Sequence, residues 1–126
     1  ELLKPTKIYV KEILSLIKNN LINGCANITG GGLTDNIKRI IPEGLTANIN
    51  LSKIKTKKIF IWLKKNKIID KEMLKTFNCG VGFCIIIKSK NLKKIKKYFT
   101  KNFQPYVIGK IINGKRKIHL NGKIEW

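Results

Sequence analysis

Acidic residues, arginine, histidine, cysteine pairs and long apolar runs are all scarce in this 126-residue chain, and each scarcity narrows what the chain can do. Seven Asp plus Glu, scattered along the sequence, give no carboxylate cluster for a metal and no paired general acid and base. The single histidine, His119, alternates with apolar residues near the C-terminus and has only Glu125 as a nearby acid, which fits a surface strand. Three cysteines (Cys25, Cys79, Cys84) are an odd number without zinc-type spacing. They argue against a disulfide framework and for buried free thiols in a reducing, cytoplasmic setting. The longest uncharged apolar stretch, 80–87, falls far short of the ~20 residues of a membrane helix, so a soluble protein is expected. No Walker-type phosphate loop, internal repeat or Ser/Gly linker is present. The opening Glu1-Leu2-Leu3-Lys4-Pro5 has neither an initiator Met nor a signal-peptide pattern, and reads as an excised internal segment.

What the chain does have is lysine. Twenty-seven Lys plus Arg against seven acids give a net charge of +20, which taken alone suggests a polyanion partner. Only Arg39 and Arg116 of those cations are arginine, however, whereas base reading and phosphate forks draw on arginine's planar donors. Lys, Ile and Asn, all encoded by AT-rich codons, are abundant together, so compositional drift accounts for the balance and nucleic acid is not the favoured partner. A lysine-rich nucleic-acid module stays as the rival of another class.

With 43% hydrophobic residues the chain is globular, and its length suits a single domain spanning 1–126 that buries roughly two-thirds of its unfolded surface. Val10, Ile13, Leu14, Ile17 and Leu21 follow the spacing of a one-sided helix over about 7–20. A short buried strand (22–28), a helix (33–41) halted by Pro42 and an alternating strand (45–49) follow. A third helix carries Ile59, Phe60, Trp62 and Leu63; a fourth is N-capped by Asp70 and ends at Asn78-Cys79-Gly80, with Gly80 as its C′ residue. Residues 81–87 predict a central strand covered on both faces. Leu92, Ile95, Phe99 and Phe103 give the last helix its stripe, leaving Lys93, Lys94, Lys96, Lys97 and Lys101 to solvent. Residues 106–112 and 117–124 predict a terminal hairpin around Asn113-Gly114. Alternating strands and helices imply an α/β layer structure.

Two glycine-bearing stretches invite a chemical reading. In Thr29-Gly30-Gly31-Gly32, between a predicted strand and a predicted helix, main-chain N–H groups converge where a helix dipole is positive. Glycine lets the backbone fold into an anion nest, and the Thr29 hydroxyl adds a donor; a plain tight turn is the alternative. Asp35 would oppose a phosphate unless it points away. In the second stretch, 75–83, Gly82 permits close approach of a backbone or a ligand, and Cys79 has no sequence-local base to make it a nucleophile.

Three blocks, "LLKPTKIYVK" (2–11), "ANITGGGLTDNIKRIIPEGLTANI" (26–49) and "EMLKTFNCGVGF" (72–83), together resemble the C-terminal domain of the phosphoribosylformylglycinamidine cyclo-ligase family, the aminoimidazole ribonucleotide synthetases. The resemblance covers most of 2–87 and fades beyond Lys88. It implies a three-layer α/β fold with a mixed sheet flanked by helices, partly ferredoxin-like. It also implies the C-terminal half of a two-domain purine-biosynthesis enzyme. That enzyme uses ATP to activate the amide oxygen of formylglycinamidine ribonucleotide, and a substrate nitrogen then closes the imidazole ring. ATP and Mg²⁺ would be held mainly by an N-terminal domain outside this chain. The full-length protein would be a homodimer, and this piece alone inactive. Asn27, Thr29, Gly30, Gly31 and Gly32 would line an inter-domain cleft and hold a phosphate of the ribonucleotide or of ATP, with Asn78, Cys79 and Gly80 as secondary cleft residues. No catalytic residue is assigned. The family usually has His directly before Ile-Thr-Gly-Gly-Gly, whereas Asn27 stands there in this chain and carries no proton near neutral pH. Sister enzymes of the same architecture, such as selenophosphate synthetase, thiamine-monophosphate kinase and formylglycinamidine ribonucleotide synthetase, form the second enzyme reading.

Overall fold

The computed structural model describes residues 5–126. Helix α1 (Val10–Lys18) places Glu12 in its first turn and Lys18 in its last, each complementing the dipole. It closes in a Schellman arrangement. Asn20 takes φ +51, its N–H donates to the Ile17 carbonyl at 2.9 Å, and the Leu21 N–H reaches Leu16 at 3.0 Å. Burial follows a different stripe from the expected one. Ile13, Leu16 and Leu21 go inside, while Val10, Leu14 and Ile17 stay about half exposed or more (60%, 59% and 49%). The helix has two adjacent apolar stripes, and only the one carrying Ile13 and Leu16 meets the cluster built around Ile95.

Strand β1 (Gly24–Asn27) pairs antiparallel with β3 (Phe83–Ile86), and the ladder is extended by the Ile28 N–H on the Gly82 carbonyl at 3.0 Å. Ala26, Cys84 and Ile86 face the main core, and Cys25, Phe83 and Ile85 face the smaller cluster around α1 and α5 (Leu92–Lys96). The expectation of a strand covered on both faces is met. Its central position is not: among the described residues β1 is the one strand paired with β3.

The second sheet is three-stranded, with β2 (Leu45–Asn50) in the middle, β4 (Gly109–Asn113) antiparallel on one side and β5 (Lys117–Asn121) parallel on the other. The predicted terminal hairpin is therefore not a pairing of β4 with β5. Thr46 and Ala47 of β2 are each only 3% exposed, so its N–H and C=O groups need partners along both edges, and the two terminal strands supply one edge each. The chain crosses the end of β2 at Gly114, whose N–H donates to the Gly44 carbonyl at 2.9 Å, and the Thr46 hydroxyl donates to the Lys115 carbonyl. The mixed α/β architecture stands, with its strands in two sheets.

Helix α2 (Gly32–Lys38) follows the glycine run and packs on α4 (Asp70–Thr76), with α3 (Lys58–Lys65) between them in sequence. Asp70 is not the N-cap of α4. Ile69 holds that place, and the Asp70 carboxylate instead takes the Lys64 ammonium at 2.7 Å and the Trp126 indole N–H at 3.1 Å. Those donors hold its carboxyl below the usual range. Gly80 is not a C′ residue either, because α4 stops at Thr76 with Phe77 already extended.

Candidate functional site

Asn27 ends β1, exposed and opposite Phe83 in the ladder. The chain then turns through Thr29 and Gly30, both exposed, into Gly31 at φ +93 and Gly32 at φ +60, where α2 begins. The three glycines do different work. A Cβ on Gly30 would meet nothing within 4 Å. One on Gly31 would press on the Asp35 side chain at 2.9 Å. One on Gly32 would overlap the Leu74 carbonyl oxygen and come within 3.2 Å of the Phe77 carbonyl oxygen, so this glycine lets the end of α4 pack directly on backbone.

Asn36 holds the turn in shape. Only 5% exposed, it donates from Nδ2 to the carbonyls of Gly32 (2.8 Å), Gly30 (3.3 Å) and Thr29 (3.4 Å), while its Oδ1 lies 3.5 Å from the Thr29 hydroxyl. Sequence reasoning missed this residue. Its signal was a polar side chain four positions past the last glycine, on the face that Leu33 and Ile37 bury. With those carbonyls turned onto Asn36, no hydrogen bond among the described residues uses the amides of Thr29, Gly30 or Gly31. The Gly32 amide differs: it donates to the Thr29 carbonyl at 3.1 Å and is buried, so it offers nothing to a ligand. Asp35 lies over Gly31, which leaves Thr29 and Gly30 as the part of the turn farthest from its charge.

The second glycine stretch closes against the first. Asn78 accepts the Gly80 N–H on Oδ1 at 3.0 Å, and its own carbonyl takes the Val81 N–H at 2.9 Å. Cys79, at φ +51 and 1% exposed, donates its thiol to the carbonyls of Met73 (3.4 Å) and Phe77 (3.6 Å). Burial, with the Asp70 charge adding to it, pushes that thiol up to about 11, so it stays protonated at neutral pH and closes the end of α4. Cys84 is pushed up by burial to about 12. Gly80 sits at φ +101 against the Lys55 carbonyl. At Gly82 a Cβ would collide with the hydroxyl of Tyr9, whose ring stacks on Phe83 (5.0 Å between centroids) and Phe103 (5.7 Å). Burial raises the Tyr9 hydroxyl pKa. All three sequence blocks thus meet at one place: Tyr9 from the first and Ile28 from the second both contact Gly82 of the third.

That convergence agrees with what the chain is similar to. Residues 1–120 match the family described as AIR synthase related protein, C-terminal domain. The chain belongs to this family. It is 46% identical over 121 residues to the trifunctional purine biosynthetic protein adenosine-3 of Chironomus tentans, covering 94% of this chain and 9% of that protein. It is 42% identical over 125 residues to the phosphoribosylformylglycinamidine cyclo-ligases of Bacillus thuringiensis (strain Al Hakam) and Bacillus cereus (strain AH820), covering 98% of this chain and 36% of each relative. The chain therefore spans about a third of the length of the Bacillus relatives.

Among the described residues no three His, Cys, Asp or Glu side chains gather to hold a metal ion, and no helix is long and apolar enough to cross a membrane. Both arginines border one shallow depression of about 680 Å³, where Arg116 is already engaged by Glu43 at 3.6 Å and reaches the Lys38 carbonyl at 3.5 Å. His119 is an exposed residue of β5, opposite Asn48 of β2.

Proposed function

We propose that this chain is the C-terminal part of an ATP-dependent cyclo-ligase that converts formylglycinamidine ribonucleotide to aminoimidazole ribonucleotide. In this reading its turn at Asn27–Gly31 holds a phosphate of the bound reactant. The observation that carries the reading is the 42% identity to cyclo-ligases over 98% of the chain. The turn supports the phosphate role on physical grounds: the amides of Thr29, Gly30 and Gly31, without protein acceptors among the described residues, stand with the Thr29 hydroxyl beside an exposed Asn27, and an open Gly30 lets an oxyanion approach the main chain. Gly32 serves packing, as do Cys79 and Gly80, and Asn78 shapes the adjoining turn.

ATP and Mg²⁺ belong in this reading to a preceding domain of the same polypeptide, which would face the turn across a cleft in a homodimeric, cytoplasmic enzyme. The bound nucleotide supplies phosphoryl activation of the amide oxygen. The residues of this chain orient the ribonucleotide and carry no step through the metal. Asn27 donates and accepts hydrogen bonds without changing charge, so any proton transfer in ring closure falls to another group.

Gly30→Val tests the phosphate role in the two-domain enzyme, since a Cβ there has no protein atom within 4 Å. The expected result is an unchanged melting temperature with KM for the ribonucleotide raised about tenfold, the loss of roughly 1.4 kcal/mol that one charge-assisted hydrogen bond represents. Unchanged kinetics would remove phosphate from this turn.

A further inference from the structure

Both arginines of the chain, Arg39 and Arg116, border the depression of about 680 Å³, although they lie far apart in sequence. The fold brings them there by two routes. Arg39 stands at the C-terminal end of α2, and α2 packs against β5. Arg116 belongs to the 115–117 turn, which the main chain pins from both sides: Gly114 donates to the Gly44 carbonyl at 2.9 Å, and Lys117 pairs with Thr46 where β5 begins. The Thr46 hydroxyl, donating to the Lys115 carbonyl, holds the turn a third time. Every residue lining the depression is charged, five cations against the carboxylates of Asp35 and Glu43. Those acids leave the guanidinium groups largely unused. The contact between Arg116 and Glu43 is 3.6 Å long and the Glu43 side chain is 83% exposed, a loose pair of little energetic weight. Among the described residues Arg39 has no ion pair and no hydrogen-bond acceptor for its side chain.

The use of arginine at these two positions is informative. Lysine carries the charge at every other Lys or Arg position, so charge alone does not call for arginine in this chain. What arginine adds is a planar fork that grips an oxyanion through two parallel N–H bonds and fixes its orientation. We infer that the depression binds a small, multiply charged phosphate anion between the guanidinium groups of Arg39 and Arg116, with Lys115 and Lys117 adding charge. Its walls fit that ligand and disfavour others. They carry no aromatic ring to stack a base, as a single-strand nucleic-acid groove does, and no apolar residue to anchor a protein partner. A volume equal to about twenty waters at ~30 Å³ each leaves the anion partly hydrated, so binding is modest and salt-sensitive. Asp35 borders both this depression and Gly31, yet the site is separate from the turn at 29–31. It uses side-chain forks where the turn offers amides, and neither idea needs the other.

The test uses the two-domain enzyme with isotope-labelled arginine confined to residues 1–126, which leaves two guanidinium Nε–H signals to follow by NMR as inorganic diphosphate is added at ~0.15 M salt. Both signals are expected to move along one saturation curve with a Kd of about 1 mM or tighter. Arg39→Lys and Arg116→Lys keep the charge and lose the fork. Each is expected to weaken binding about tenfold at an unchanged melting temperature, followed on the remaining arginine, whereas Lys96→Gln, outside the depression, changes it less than about twofold. Inorganic phosphate and ribose 5-phosphate run in parallel separate the two sources of such an anion. Diphosphate binding tightest assigns the site to a free anion, ribose 5-phosphate binding tightest assigns it to the end of a sugar phosphate, and either supports it. Lysine variants that bind as tightly as the parent would reduce the depression to undirected charge and overturn the inference. Signals that saturate separately, or that do not saturate by about 10 mM with any of the three anions, would overturn it as well.

Discussion

In the turn at 29–32 a Cβ built on Gly30 meets nothing within 4 Å, whereas in the turn at 78–82 one built on either glycine runs into protein, the Lys55 carbonyl for Gly80 and the Tyr9 hydroxyl for Gly82. Both turns carry glycines at a junction between helix and strand, the first leading from β1 into α2 and the second from α4 into β3. They differ in what occupies the space beside the backbone. In the second turn the missing side chains are replaced by the protein's own groups; in the first, only Gly31 and Gly32 are used that way. The boundary between glycine for packing and glycine for an incoming group therefore runs inside the Thr29–Gly32 turn, between Gly30 and Gly32.

Substitutions that supply the missing Cβ test this boundary, and Gly32→Ala should have the largest effect. Its φ of +60 costs an L-residue of order 1–3 kcal/mol, and overlap with the Leu74 carbonyl adds ~1–3 kcal/mol of overpacking, about 4 kcal/mol together. Urea denaturation should show that loss or no folded protein at all; a near-normal midpoint would mean that α4 does not depend on close approach to α2. Gly82→Ala comes next, at about 2 kcal/mol. Because the obstructing atom is the Tyr9 hydroxyl, Tyr9→Phe in the same chain should restore about half of the loss. Additive losses in the double variant would contradict the assigned contact.

Cys79 gives a smaller, pH-dependent measure of how closed the second turn is. Its folded pKa lies above the ordinary 9.0, at about 11, so folding favours the protonated thiol. The stabilisation is present in full below pH 9 and is lost as pH rises through 11. Between pH 8 and 11 the parent chain should lose more stability than Cys79→Ala, and the thiol should resist alkylation at pH 8. Equal slopes would show the turn open to water.

Much of this was legible from periodicity and turn chemistry. The order of elements, the two-faced burial of β3 and the alternation of β2 follow from apolar spacing, and the three family blocks mark residues that fold together around Gly82. Long-range choices were not. Asn113-Gly114 looks like a hairpin turn in isolation, but β2 outcompetes it because a buried strand needs both edges paired. Leu14 and Ile17 share helical spacing with Ile13, and only the docking direction of α1 decides which stripe is covered. Asp70 has the residue type of an N-cap, yet Lys64 and Trp126 offer it charge and a donor from elsewhere in the fold. In the candidate site the residue types were readable, but not that Asn36 would draw the carbonyls of the turn onto itself, nor that the Gly32 amide would be spent.

The smallest expected effect probes the open side of the boundary. Asp35 is exposed and its carboxylate lies over Gly31, one residue from the open backbone of Gly30. A phosphate held at Thr29 and Gly30 feels that charge through partly solvated space, where a single like-charge contact amounts to about 0.5 kcal/mol. Asp35→Asn in the two-domain enzyme should therefore lower KM for the ribonucleotide by about two- to threefold, most clearly at low salt, with the melting temperature within a degree or two of the parent. A rise in KM would assign Asp35 to substrate binding and move the anion elsewhere. A KM that does not respond at any ionic strength would place the phosphate more than ~10 Å from Asp35, away from the turn at 29–31.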